Sequence, residues 1–568
     1  MKPGPREALF GGRYWPTKYR ISGPAWLAIG FAVLFLTKYI FIGQQAAFYG
    51  DDGLHVEVAL QQSALGHLAF PWHRHHPPIY LALLNLWTVF GYGEAALRSL
   101  NWVAAAFVFT FAFLSIRRLS NGGAAAVAVA MLALSPMLGL LVLELRDYVP
   151  ALAFLFMAFY YFERWLAEDR RGWLALATLG CWGALCTSYT TVLVLGFLLL
   201  YVLLRLHDEH KPRRVFVEFA AFQLSWILLG AIVLFSKMVD VGVVEQQYLK
   251  PQVFRPGNPT GRLAYGWHQL SSSITQLGVG VSPGWGSLLA YVGLLGGAIF
   301  GGLRRYASPF ARAILLVGPL LLSAALSAAG LFPGGNTRHA SSLLLSLSLT
   351  CALGGDAVWY FIRNRYQRVW PNAGKLGAAT ALLLVAFVMH QRLDMPRMPN
   401  SARDVRKMVV ESLRLTEPMG EAPLFTDYLT AIMVGFYVRQ LQSDGVVSTS
   451  LRNRFVQSAN VSRFRKGDFC GSIASAKQLA DRPAASGKLV YGSFEIYDPS
   501  LRILEVELKR LEPEHRFAEV THYGQGMVLQ FNYAAPGKRE GLTKWCAGDP
   551  AVPFQNRFTA FTAKALTF

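Results

Sequence analysis

Charge is the scarce ingredient of this chain. Of 568 residues only 15% are charged and 53% are hydrophobic, with 34 acidic residues against 54 basic ones. A soluble domain carries about 25% charged residues, so a chain built for water throughout is excluded. The scarcity is uneven: residues 392–568 hold 24 basic and 18 acidic side chains, and the first 391 hold only 30 and 16. Cysteine is rare too. Cys181, Cys186 and Cys351 lie in apolar stretches and read as small apolar residues. Cys470 and Cys546 lie in the polar tail, where a disulfide and two free thiols both stay open. There is no repeat period, P-loop, GxGxxG after a strand, HExxH or CxxC pair, which leaves ATP-driven transport by this chain without support.

What is abundant is apolar sequence in long runs. Eleven stretches approach the roughly 17–25 residues a bilayer crossing needs, at about 24–42, 96–116, 122–143, 148–166, 172–187, 190–206, 215–236, 286–303, 310–330, 341–361 and 374–391. The least marked division is at 172–206, where Ser188-Tyr189-Thr190-Thr191 is the one polar break. No small-residue cleavage site follows the first stretch, so it is expected to stay as an anchor. With the N-terminus cytoplasmic, the short inner segments carry 21 Lys and Arg and the outer ones 7, as the positive-inside bias requires. The net charge of +20 is thus a topology signal and does not point to nucleic acid.

The expected architecture is a polytopic α-helical membrane protein of about 11 transmembrane helices with a C-terminal periplasmic α/β domain. Residues 1–391 form the membrane part, with a first periplasmic loop over 43–95, and residues 392–568 the outer domain. The tail alternates helix-like segments (Asp404 to Leu415, Thr430 to Gln440) with strand-like ones (Lys488 to Tyr491, Arg516 to Val520, Met527 to Phe531).

The few acids of the membrane part are concentrated on the outer side: Asp51, Asp52, Glu57, Glu94, Glu144, Asp147, Asp240 and Glu245. Three clusters face that compartment at one depth, namely Tyr49-Gly50-Asp51-Asp52-Gly53, Glu144-Leu145-Arg146-Asp147-Tyr148 and Asn336-Thr337-Arg338-His339. Acids close to a bilayer are costly unless paired or hydrated, which makes them functional candidates. The glycines around Asp51 and Asp52 let the backbone approach a ligand. Glu57 and Glu94 read as helix caps or hydrated acids. Residues 79–90 are too short to span and are expected to lie along the interface, with Tyr80 and Trp87 as anchors. His67, His73, His75 and His76 leave two readings open, metal ligation and interfacial contact with phosphate or water.

Asp51-Asp52 after the first span, His76-Pro-Pro-Ile-Tyr-Leu-Ala-Leu-Leu-Asn-Leu-Trp-Thr-Val-Phe-Gly91, and Glu94-Ala-Ala-Leu-Arg98-Ser-Leu together resemble the GT-C glycosyltransferases. The closer likeness is to the Rgt-type and aminoarabinose-transferase-like group related to protein O-mannosyltransferases. Glu144 to Tyr148 resembles that group's second outer motif, and Thr337-Arg338-His339 its late motif. The motif similarity covers about residues 45–200. It implies a polyprenyl-phosphate-linked sugar donor, an acceptor hydroxyl on a glycan, lipid or protein, inversion at the anomeric carbon, and a bacterial inner membrane. By this resemblance Asp51 takes the place of the first-loop catalytic acid, Asp52 its acidic neighbour and Asp147 the second-loop acid, while His76 falls where donor phosphate is expected. The usual first-loop pair is Asp-Glu, so Asp52 is one methylene shorter.

The residue inventory suits that chemistry. The leaving phosphate needs cations, and His75, His76, Arg146, Arg338 and His339 are available. The acceptor hydroxyl needs a base within hydrogen-bond reach, which Asp51, Asp52 or Asp147 can supply, with Tyr49 and Tyr148 beside them as substrate-binding candidates. The pattern names no cofactor, and a divalent metal held by Asp51, Asp147 and His76 stays open. The rival is a non-catalytic transporter or flippase of a lipid-linked glycan, which would place ionisable residues near mid-membrane. Lys38, Glu218 and Asp356 instead lie toward the ends of their stretches. The tail is expected to shape the acceptor site over the outer mouth.

Overall fold

A computed structural model describes residues 22–48, 50–60, 62–68, 77–244, 254, 261–275, 285–301, 308–335, 337–366, 402–416, 424–425, 436–442, 444–446, 488–494, 518–523 and 526–532. The helices, in chain order, are α1 (Gly23–Gln45), α2 (Gly50–Leu60), α3 (Ala64–Leu68), α4 (Pro78–Trp87), α5 (Glu94–Leu119), α6 (Gly122–Leu134), α7 (Pro136–Leu143) and α8 (Tyr148–Glu168). Then follow α9 (Arg171–Thr187), α10 (Val192–Asp208), α11 (Arg213–Val244), α12 (Gly261–Ser272), α13 (Trp285–Gly296), α14 (Pro309–Ala328), α15 (Leu344–Tyr366), α16 (Ala402–Thr416) and α17 (436–442).

The apolar runs from 24 to 361 all fall on helices, and the run at 374–391 lies outside the described residues. Among the described residues six helices are long and apolar enough to cross a bilayer: Gly23–Gln45, Glu94–Leu119, Tyr189–Asp208, Arg213–Ile232, Pro309–Ala328 and Arg338–Phe361. A seventh crossing is formed if α6 and α7 count as one broken span, bent by 59°. The chain is a multi-pass membrane protein.

The break between α6 and α7 is written locally. Ser135 leaves the helical region (φ −66, ψ 118), its side chain accepts from the Leu138 amide at 3.2 Å, and Pro136 occupies the first position of α7. Serine as cap and proline next stop one helix and start another. Close packing also has local causes. A Cβ on Gly180 would stand 2.8 Å from the Ala158 backbone nitrogen, so glycine is what lets α9 lie against α8, a common device between membrane helices.

On the side of the bundle where α1 and α7 end, a second core joins the first-loop helices, the start of α5 and the tail. In α16, Val405, Met408, Val409 and Leu413 are buried, a helical spacing that makes one apolar face. That helix packs against β2 (Lys488–Phe494), β3 (Ala518–Tyr523) and β4 (Gly526–Asn532). With β1 (Leu424–Phe425) these form a sheet of order β1-β2-β4-β3, antiparallel from Lys488↔Asn532 and Ala518↔Phe531 onward, and parallel at Leu424↔Tyr491 and Phe425↔Gly492.

Two expectations are corrected here. Tyr80 is not an interfacial anchor: α4 docks inward, Tyr80 is fully buried, and the exposed side is Leu86, Val89 and Phe90. The inward pull comes from Asn85, whose Nδ2 donates to Ala59 O at 2.9 Å and Gln62 O at 3.0 Å, and from Trp87, whose Nε1 donates to Ser99 Oγ at 2.8 Å. Glu94 is not hydrated but buried, and its Oε2 accepts from Arg406 at 2.9 Å and Gln440 at 3.1 Å. A buried carboxylate persists only when paired in this way.

Glu94, Arg98 and Asn101 share one face of α5 and tie the surrounding chain ends together. Arg98, wholly buried, donates to Gly43 O at 2.7 Å, Ala46 O at 2.6 Å, Ala47 O at 2.8 Å and Leu143 O at 2.6 Å. Asn101 Nδ2 donates to Leu141 O at 3.2 Å and Glu144 O at 2.5 Å. The last carbonyls of a helix have no intrahelical donor, and a cation is favoured at that end by the helix dipole. One guanidinium therefore serves the ends of both α1 and α7. Replacing Arg98 with Met should cost about 3 kcal/mol or more, since several buried carbonyls lose their donors. Arg98→Lys, with a point charge in place of a fork, should fall between. Thermal unfolding of the detergent-purified protein checks the order, and equal midpoints for all three would contradict it.

Candidate active site

The residues held by Arg98 and Asn101 lead directly into two of the three polar clusters. Past Ala47 the chain enters α2, which carries Asp52 in its first turn. Asp52 is fully buried, and its Oδ1 accepts the Leu145 amide hydrogen at 2.9 Å. This bond joins the first outer loop to the turn between α7 and α8. Arg146 Nε stands 3.8 Å from Asp52 Oδ1 and 4.0 Å from Glu144 Oε2, and Arg338 Nη1 3.7 Å from the same Glu144 oxygen. At these separations the pairs are electrostatic rather than hydrogen-bonded.

The third cluster arrives on the 3-10 turn Arg338–Leu343, which leads into α15. Its His339 Nδ1 meets the Tyr148 hydroxyl at 3.0 Å, ring edge to face with centroids 5.7 Å apart. The structure thus brings Asp52, Glu144, Arg146, Asp147, Tyr148, Arg338 and His339 into one polar region. The side chain of Asp51 and the whole of Tyr49, His73, His75 and His76 lie outside the described residues; the Asp51 backbone is in α2.

Asp147 sits at the start of α8 without capping it. Ser188, at the end of α9, lies close enough to act on its carboxyl. Burial pushes its carboxyl up to about 6, against the lowering effects of Ser188, Arg146 and Arg338. Arg338 keeps a third of its side chain exposed (33%) beside it. The arrangement has a carboxylate that titrates close to neutrality next to two guanidinium groups. The first suits acceptance of a proton from a hydroxyl, and the second suits an anionic phosphate.

Three contributors were missed. Ser188 is visible in the sequence only as part of a polar break between two apolar runs; in the fold it acts on the Asp147 carboxyl. His55, also buried, lies edge-on to Tyr80 with centroids 5.7 Å apart. It stands one turn after Asp51 and Asp52, the spacing that could have revealed it. Tyr80 has a buried hydroxyl with no hydrogen-bond partner among the described residues. Burial, then Asp147 and Asp52, hold that phenol well above its ordinary range, so it stays neutral.

Among the described residues no group of three or more His, Cys, Asp or Glu is placed to hold a metal ion. His67 is engaged by the backbone, its Nε2 2.8 Å from Ala59 O. Two arginines beside Asp147 are a poor setting for a further cation, and no step is routed through one.

The dolichyl-phosphate-mannose-protein mannosyltransferase family model matches residues 75–236, a stretch that includes Glu144 to Tyr148 and Ser188. No curated protein matches the chain by sequence. Among solved structures, ArnT from Cupriavidus metallidurans bound to undecaprenyl phosphate is similar at 13% identity and a TM-score of 0.50, over 90% of this chain and 99% of that one. The apo form of that protein gives 14% identity and the same TM-score over 89% and 98%. The Archaeoglobus fulgidus oligosaccharyltransferase follows at 12% identity and 0.47 over 85% and 70%. The likeness to ArnT shows that the two chains share a fold.

Tyr80→Phe removes a hydroxyl that no described group satisfies. It should leave the unfolding midpoint unchanged or raise stability by about 1 kcal/mol, because an unpaired buried hydroxyl costs roughly 1–3 kcal/mol. A clear drop in a thermal scan would show that the hydroxyl has a structural partner.

Proposed function

We propose that the chain is a membrane glycosyltransferase that moves a sugar from a polyprenyl-phosphate carrier to a hydroxyl of a cell-envelope glycan, lipid or protein. In this reading it works at the outer face of a bacterial inner membrane, crosses that membrane eleven times, keeps its N-terminus in the cytoplasm and carries a periplasmic α/β domain over residues 392–568. The observation that carries the reading is the meeting of Asp147 with Arg146 and Arg338 at the ends of helices in a GT-C fold. The mannosyltransferase family match and the undecaprenyl phosphate of the ArnT structure support a lipid-linked donor.

In this mechanism Asp147, or Asp51 beside Asp52, takes the proton of the acceptor hydroxyl as its oxygen attacks the anomeric carbon. The bond from that carbon to the phosphate oxygen breaks on the opposite side, which inverts the centre. The negative charge left on the polyprenyl phosphate is met by Arg146, Arg338 and the His75-His76 pair, and His339, neutral beside the two arginines, adds a hydrogen bond. Asp52 fixes the Leu145 amide and so the start of the second loop. Tyr148, bonded to His339, and Tyr49 line the sugar or the acceptor. A flippase would need no proton acceptor titrating near neutrality beside two arginines, which is why transfer is favoured over transport.

Two tests follow. If Asp147 is the base, its ionised form is the active one, so transfer by wild-type membranes holds above pH 6 and falls tenfold per unit below about 6. Asp147→Asn should remove that acidic limb and lower the rate by about 10²–10⁴-fold. A wild-type profile flat from pH 5 to 8 would rule Asp147 out as base. For the first loop, Asp51→Asn in membranes supplied with a labelled lipid-linked sugar should lose transfer by a similar factor, whereas full transfer would remove Asp51 from the mechanism.

A further inference from the structure

The tail touches the first outer loop at a backbone amide. Between the end of α1 and the start of α2, Phe48 is buried, and its amide donates to the Tyr437 hydroxyl at 3.2 Å. Its ring lies 4.6 Å from the Arg98 guanidinium and 4.9 Å from the Phe436 ring. Tyr437 is itself fully buried. Two further tail residues, Arg406 and Gln440, reach Glu94 Oε2, one turn before Arg98 on α5. The first loop is therefore gripped from two sides at Phe48, by α5 from the membrane part and by α17 from the tail.

We propose that residues 402–416 and 436–442 belong to the catalytic framework, with Tyr437 a positioning residue that sets Asp51 and Asp52 through the Phe48 amide. The proposal rests on the glycosyltransferase reading for its consequence in catalysis, but its structural half stands without it. Phe48 is three residues from Asp51, and those residues join a helix end pinned by Arg98 to a helix that carries the acids. A buried amide must find an acceptor, and the one it has is supplied from 389 positions away in sequence. This assigns the tail segment a different task from acceptor shaping: it acts on the catalytic loop, not on the acceptor.

The test uses the full-length protein in detergent and in cells. Tyr437→Phe keeps the ring but removes the acceptor. Amide hydrogen exchange over 46–53 should quicken at least tenfold, while peptides within α5 and α16 keep wild-type rates. Surface glycan product, read by mass spectrometry in cells that have the variant as their sole copy, should fall at least tenfold. Binding of undecaprenyl phosphate, read by native mass spectrometry, should stay within threefold. Arg406→Gln, on a side chain partly exposed, keeps a polar group beside Glu94 and should move the same three readouts in the same directions, with the unfolding midpoint read alongside to separate loss of the contact from loss of the fold. Unchanged exchange at 46–53 in both variants would overturn the coupling, and quickened exchange with full product would overturn its role in catalysis. If the wild-type protein itself makes no product, the transferase reading fails, and the exchange data alone decide whether the tail holds the loop.

Discussion

The organisation of the polar end of the helix bundle depends on one buried guanidinium. Arg98 donates to carbonyls at the end of α1 and to the last carbonyl of α7. A cation taken out of water is tolerated only when its donors are satisfied and an opposing field surrounds it. Here the field comes from helix C-termini, whose unsatisfied carbonyls carry partial negative charge. The chain leaves both helix ends in directions set by this contact, and what it enters next are the two segments with Asp52 and with Glu144 to Tyr148. Asp52 then closes the triangle through the Leu145 amide. The acids near the bilayer surface are thus placed by main-chain constraints, not by the strength of their own ion pairs, which are too long for hydrogen bonds.

That division of labour explains how acids and arginines coexist there without neutralising one another. Asp52 is committed to an amide, and Glu144 lies between two arginines. Asp147 stands apart from both, and burial raises its carboxyl to about 6. In the proposed mechanism a base and a phosphate-binding pair have opposite electrostatic needs, and separate anchoring would let them share one small volume, as preorganised catalysis requires.

Much of this was legible in the sequence because it is written in local pattern. Apolar run length marked helices α1, α5 and α10 to within a few residues, and the helix-period spacing of Val405, Met408, Val409 and Leu413 marked α16. The common depth of the three polar clusters followed from counting spans. What escaped was long-range. Arg98 sat inside an apolar run as an apparent exception, and nothing local says that its donors reach carbonyls 45 to 55 positions away. Tyr80 and Glu94 looked like surface residues because the tail and first-loop helices that cover them are remote in sequence. Ser188 looked like a gap between spans because a polar break and a site residue have the same local signature.

Cleavage of the lipid carrier is what separates the transferase account from transport. The direct measurement is to incubate the purified full-length protein, in vesicles, with polyprenyl-phosphate-linked sugar extracted from membranes and radiolabelled in the sugar, together with delipidated envelope glycan. The account predicts that label leaves the lipid, that free polyprenyl phosphate appears in equal amount, and that Asp147→Asn abolishes both. Label that changes leaflet while still attached to its lipid, at the same rate in wild type and Asp147→Asn, would contradict it.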